Sequence, residues 1–161
     1  FDSLDGQPDF PDVMRFPVEK DDTDMMLAIK RGLELGHREF HLYGGMGGRR
    51  TDHTIANLQA LVYLARRGAI GWLYGKEEVY TAIHNGALTL AAKERGILSV
   101  FCFGAQARGV TIRGAQYEVD DAVLTADFPL GVSNHIMEPE ATVSVRKGAL
   151  AIGWELEPLE N

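Results

Sequence analysis

The chain has 161 residues, 45% hydrophobic and 24% charged, with a formal net charge of −7. That balance excludes a disordered chain and leaves room for one ordinary domain or two small lobes. It also argues against a broad basic surface for nucleic acid, and no apolar run reaches the roughly 18 residues that a membrane span needs.

The chain opens on Phe1-Asp2-Ser3 with no initiator Met and no signal peptide, which predicts a processed or truncated product. Residues 1 to about 20 are polar and punctuated by Pro8, Pro11 and Pro17. They read as a loop with one short strand near Val13–Phe16. From Thr23 to Leu35, Met26, Ile29, Lys30 and Leu33 recur at helical spacing, and Gly36 is a natural stop. Glu39–Tyr43 alternates like a strand and runs into a glycine loop. From Thr51 to Arg67, Ile55, Leu58, Val62 and Ala65 form an apolar stripe that ends at Gly68. Helix, strand, glycine loop, helix is half of a doubly wound α/β layer.

After about residue 69 the texture changes. Short β-rich runs appear at Ile70–Tyr74, Glu78–His84, Leu98–Phe103, Val110–Arg113, Thr142–Val145 and Leu150–Trp154. Turn signals separate them: Asn85-Gly86, Arg95-Gly96, Arg108-Gly109, Arg113-Gly114 and Lys147-Gly148. The lone cysteine, Cys102, lies in one of these runs. It cannot form an internal disulfide and reads as a buried core residue, in keeping with a reducing cytoplasm. The predicted class is α/β plus all-β: a partial doubly wound α/β lobe over residues 1–69, then a β-sandwich-like lobe over residues 70–161.

Chemistry concentrates in two places. Gly44 to His53 packs glycines, two guanidinium groups, a carboxylate and an imidazole into one loop that opens a helix. Glycines let backbone amides approach an anion, the helix start adds unpaired N–H groups, and Arg49 and Arg50 can clamp phosphate oxygens. Upstream, Lys20-Asp21-Asp22-Thr23-Asp24 sits where the first helix begins. Its carboxylates are either helix caps or part of a Mg²⁺ site, since magnesium takes few protein carboxylates and shares its other positions with water and phosphate. Asp2 and Asp52 occupy similar positions at ends of elements. His53 is either a general base or a locally packed residue, and Asn57 either faces the cleft or a solvated helix face.

These residues resemble the thiamine pyrophosphokinase (thiamine diphosphokinase) family. Phe1-Asp2-Ser3-Leu4 is similar to the end of its Gly-Asp-Phe-Asp-Ser segment, and Glu19 to Asp24 to its Lys-Asp-x-Thr-Asp motif. Gly48-Arg49-Arg50-Thr51-Asp52-His53 with Asn57 resembles Gly-Gly-Arg-x-Asp-His-x-x-x-Asn. Val110 to Gly114 with Tyr117 resembles Thr-x-x-Gly-x-x-Tyr, and Gly131 to Asn134 resembles Gly-x-Ser-Asn. Arg49 stands where the family commonly has a second glycine, which implies a stiffer loop or an extra cation. The family's amino-terminal strand-helix-strand segment has no counterpart here, so the resemblance implies a fragment.

The resemblance implies transfer of a pyrophosphoryl group from ATP to the hydroxyl of thiamine, giving thiamine diphosphate and AMP. On it, Asp2, Asp21 and Asp24 hold Mg²⁺, and Asp24, Arg50 and Asp52 are catalytic. Asp52 either orients Arg50 or accepts the hydroxyl proton. Gly47, Gly48, Arg49, Arg50, Lys20 and Asn57 would bind ATP phosphates. Thr111, Tyr117, Ser133 and Asn134 would bind thiamine, with Tyr117 stacking on the cationic thiazolium. A homodimer with thiamine sites between subunits is also implied, with no nucleic-acid or membrane partner. Two rivals stand beside it: a Mg²⁺-dependent phosphohydrolase using the same acids and Arg50, and a non-catalytic thiamine- or nucleotide-binding module.

Overall fold

The computed structural model describes residues 21–91 and 96–156. The expected strand at Val13–Phe16, Lys20, Asp2 and the Arg95 half of a turn signal lie outside them.

Helix α1 spans Asp24–Glu34. The Thr23 hydroxyl accepts a hydrogen bond from the Met26 amide at 3.2 Å and caps its start. Ile29 is buried, with Met25, Met26 and Leu33 packed around the same core. Lys30 leaves that stripe and pairs with Asp22 at 2.5 Å. The helix ends as expected at Gly36, whose φ of +91° lies in the left-handed region that glycine adopts without strain.

Strand β1 (Glu39–Leu42), helix α2 (Thr51–Ala65) and strand β2 (Ile70–Tyr74) form a crossover unit in which β1 and β2 pair in parallel. Phe40 and Leu42 turn toward the helices, opposite Gly71 and Leu73 of β2. A Cβ on Gly71 would lie 2.7 Å from a Leu64 methyl and 2.8 Å from a Leu61 methyl, so glycine here lets α2 settle onto the sheet. The buried face of α2 is Asn57, Ala60, Leu61, Val62 and Leu64. Of the expected stripe, Val62 is buried and Leu58 and Ala65 pack against the same core, whereas Ile55 is 53% exposed and falls outside it. A helix this apolar on several sides leaves its inward face to the partner sheet, not to the sequence.

Eight further strands follow: β3 (Glu78–His84), β4 (Ala87–Ala91), β5 (Ile97–Cys102), β6 (Gln106–Arg113), β7 (Val119–Thr125), β8 (Gly131–His135), β9 (Glu140–Lys147) and β10 (Ala149–Glu155). They complete a six-stranded sheet in the order β1-β2-β3-β10-β5-β8 and a four-stranded sheet in the order β4-β9-β6-β7. Every described pair except β1–β2 is antiparallel. Alternation along β3 and β10 divides the large sheet between two cores. Ala82 and Ala149 face α2, whereas Ile83, Leu150 and Ile152 meet Val110, Ile112, Val143 and Val145 of the small sheet. The large sheet is therefore continuous across residues 69–70, where the sequence changes texture. Where the β2–β3 ladder stops, the buried Thr81 hydroxyl donates to the Gly71 carbonyl at 2.7 Å.

The mixed α/β plus β-sandwich class is the architecture found. Strands β4, β7 and β8 were not among the expected runs. Arg108-Gly109 is not a turn: it lies inside β6, where Gly109 has a φ of +68° and the register with β7 shifts, a bulge. Cys102 is half-buried and packs against the sandwich core. Among the described residues, no helix is long and apolar enough to cross a membrane.

Candidate active site

Parallel β1 delivers its chain to the glycine loop at its carboxyl end, where ligands of open α/β sheets gather. A cleft of about 760 Å³ opens there, lined by Asp22, Thr23, Asp24, Gly44, Gly45, Gly48, Arg49, Arg50, His53, Thr54 and Asn57, among others. The start of α1 forms one wall, and the loop and the start of α2 form the other. Asp22 and Asp24 thus face the same space as Arg49 and Arg50. Of the residues singled out in the sequence, Gly48, Arg49, Arg50, Asp24, His53 and Asn57 meet here. Gly47 and Asp21 do not line the cleft, and Asp52 stands just outside it.

The loop's shape follows from its glycines and from Asn57. Gly44 and Gly47 have φ of +73° and +77°. At Gly45 a Cβ would fall 2.7 Å from Asn57 Nδ2 and 2.8 Å from a Leu73 methyl, so no other residue fits. Asn57 is only 6% exposed, and its amide donates to the Gly45 carbonyl at 2.9 Å. It therefore faces inward and ties the loop to α2; the solvated-face reading is set aside.

Arg50 precedes helix α2 with no side-chain cap, and the His53 amide donates to the Arg50 carbonyl at 3.2 Å, so the positive end of the helix is left open to an anion. The Arg50 guanidinium is gripped by Asp52: Nε lies 3.0 and 3.2 Å from the two carboxylate oxygens, and Nη2 lies 2.6 Å from Oδ2. The Arg50 hydrogen bond holds the Asp52 carboxyl down at a pKa of about 2. A carboxylate that acidic accepts a proton poorly near neutrality, which favours orientation of Arg50 over base catalysis for Asp52. Arg49 also lines the cleft, so the residue standing at a common family glycine contributes a cation.

Among the described residues no group of three or more His, Cys, Asp or Glu side chains is arranged to hold a metal by itself. The donor set still suits Mg²⁺, which takes one or two carboxylates and completes its shell with water and substrate phosphates.

The thiamine-side residues divide. Tyr117 is 63% exposed and lines a pocket of about 250 Å³ with Ile112, Leu124, Leu130, Val132 and Asn134, between β7 of one sheet and β8 of the other. Asn134 is buried and acts on backbone: its Nδ2 donates to the Tyr117 carbonyl at 2.7 Å, and its Oδ1 accepts from the Tyr117 amide at 2.9 Å. It sets the position of Tyr117. Thr111 and Ser133 do not line the pocket. The Thr111 hydroxyl accepts from the Asp121 amide at 3.3 Å, and the Ser133 amide donates to Ser99 Oγ at 3.2 Å. The reading of the sequence missed Thr54, which lines the larger cleft one helical turn from Arg50, and the apolar lining of the smaller pocket. Leu130 and Val132 flank the Gly131 motif and were its available signal.

Both halves of the chain resemble known proteins. Residues 10–70 match the model of the thiamin pyrophosphokinase catalytic domain, and residues 88–150 match that of the thiamin pyrophosphokinase vitamin B1 binding domain. The thiamine pyrophosphokinase of Bacillus subtilis is 26% identical over 136 residues, covering 84% of this chain and 63% of the relative. The chain thus spans less than two thirds of that relative's length. The crystal structure of thiamin pyrophosphokinase from Geobacillus thermodenitrificans superposes with a TM-score of 0.77 at 26% identity, over 94% of this chain and 69% of that one. The Bacillus subtilis enzyme structure shares the fold, also at a TM-score of 0.77, with 24% identity over 86% of this chain and 65% of that one. The two matched models are consecutive domains of one enzyme and together span well over half of the sequence: the chain belongs to the thiamin pyrophosphokinase family.

Proposed function

We propose that this chain carries out the pyrophosphoryl transfer of thiamine diphosphokinase, in which the thiamine hydroxyl attacks the β-phosphorus of ATP and AMP leaves. The observation that carries this reading is the phosphate cleft, with Asp24 across from Arg49, Arg50 and the uncapped start of α2. Reactions of this kind depend mostly on positioning and charge neutralisation, which such a cleft supplies. Arg50, held in one orientation by Asp52, steadies the polyphosphate as charge moves toward the leaving group. Arg49 and the α2 amides hold further phosphate oxygens.

Mg²⁺ bound with the triphosphate would lower its charge and fix its geometry, and Asp24, with Asp2 and Asp21, is the set proposed to hold it. Tyr117 offers its ring face to the thiazolium cation, and Asn134 keeps that ring in place. Tyr117, Phe128, Leu130, Val132 and Met137 are all exposed. These side chains fit a two-fold contact that would complete the thiamine site in a homodimer. A reducing, cytoplasmic setting suits the single half-buried cysteine.

The test is incubation of the chain with thiamine, ATP and Mg²⁺ and chromatographic measurement of products. Thiamine diphosphate and AMP are expected in equal amounts. ADP and phosphate instead would point to a phosphohydrolase, and ligand-dependent stabilisation without turnover to a binding module.

A further inference from the structure

Three rings stack on the face of the large sheet turned away from the helices. The His41 and Tyr74 rings lie 5.8 Å apart at 15°, and the Tyr74 and Tyr43 rings lie 4.7 Å apart at 8°. His41 Nδ1 and the Tyr74 hydroxyl are 3.1 Å apart, which fixes the middle ring. The side chains reach this face because Phe40 and Leu42 take the opposite one. The stack climbs toward the carboxyl ends of β1 and β2 and terminates in Tyr43, which is 69% exposed. Gly44, the next residue, already lines the phosphate cleft. Tyr43 itself is not part of that lining; it stands one residue before it, with its outer ring face exposed.

We infer that Tyr43, backed by Tyr74 and His41, is the stacking platform for the nucleobase of the nucleotide substrate. The inference rests on the phosphate cleft proposed above and adds to it a subsite for the base. A flat π-face on a pre-stacked ring recognises any purine or pyrimidine without needing hydrogen bonds, so the platform contributes affinity more than base choice. The remaining explanation for such a ladder is cross-strand packing that stiffens the sheet. The two differ in which ligand feels the loss of the ring.

Affinities of ATP and of inorganic tripolyphosphate, both with Mg²⁺, would be measured by calorimetry on the wild type, Tyr43→Ala and Tyr43→Phe. Tyr43→Ala should weaken ATP by roughly ten-fold and leave tripolyphosphate unchanged. Tyr43→Phe, which keeps the ring, should bind ATP within about two-fold of the wild type. Equal loss of ATP and tripolyphosphate affinity in Tyr43→Ala would reduce the stack to a brace for the glycine loop and overturn the inference. So would wild-type binding of ATP no tighter than tripolyphosphate, a result that leaves the phosphate cleft standing. Binding of neither ligand by the wild type would remove the cleft and the platform together.

Discussion

At the scale of single residues, the Arg50–Asp52 pair bears on the two roles that the sequence left open for Asp52. Both side chains are largely exposed, so the pair adds little to stability; its effect is to fix where one guanidinium points. The Asp52 carboxyl is depressed to about 2 by the Arg50 hydrogen bond. A depressed carboxylate keeps its interaction above the ordinary aspartate range and loses it only as pH falls through about 2. Near neutral pH Asp52 is thus ionised. Asp52→Asn should lower kcat/KM by about ten-fold through a less ordered Arg50, while the acid limb of the pH–rate profile stays where it was. Disappearance of that limb in the variant would instead make Asp52 the proton acceptor. The same residue-level economy applies to Asn134, whose amide mimics a strand partner for Tyr117. Its motif was readable, but its use of backbone in place of ligand needed the three-dimensional arrangement.

At the scale of elements, the glycine loop and α2 behave as one part because Asn57 joins them. Asn57→Ala removes the donor that holds the partly buried Gly45 carbonyl, at a cost of about 1–3 kcal/mol. The urea midpoint should fall accordingly, and tripolyphosphate should bind more weakly as the loop relaxes. Unaltered tripolyphosphate affinity in a destabilised variant would mean that the clamp serves the fold alone. Elements with a strong local pattern were legible in the chain. Ile70–Tyr74 and Glu78–His84 are rich in β-branched and aromatic residues between turn signals, and their bounds agree with β2 and β3. Both helices were legible from periodicity and their glycine stops. Ala87–Ala91 carries little β-forming material, Val119–Thr125 begins with two aspartates after its first residue, and Gly131–His135 reads as a turn. Those strands exist because neighbouring strands present them with hydrogen-bonding edges and a core, which no local window contains. The left-handed φ of Asp121 and of Ser133 breaks the alternation in two of them. The cleft was legible as a list of residues carried by their motifs. The aromatic stack was not, because its rings come from two strands and alternate with core positions.

At the scale of the whole molecule, the question is whether two cores make two folding units. Leu64 lies in the core beneath α2 and Leu150 in the sandwich core, and both are fully buried. The strands that separate these cores also connect them, since β3 and β10 give alternate side chains to each. Unfolding either core strips one face from the same pair of strands and exposes apolar surface belonging to the other. Leu64→Ala and Leu150→Ala should each cost about 2–5 kcal/mol. Because the strands are shared, either loss should displace a single transition instead of splitting it. Trp72 and Trp154, which meet edge-on with ring centres 6.0 Å apart, report from this shared sheet. Urea curves followed by their fluorescence should coincide with curves followed by far-ultraviolet circular dichroism, in the wild type and in both variants. A Leu64→Ala protein that loses its helical signal at low urea while the tryptophan signal persists would show that the α/β part unfolds by itself. The cleft at the carboxyl end of β1 would then depend on a unit less stable than the sandwich beside it.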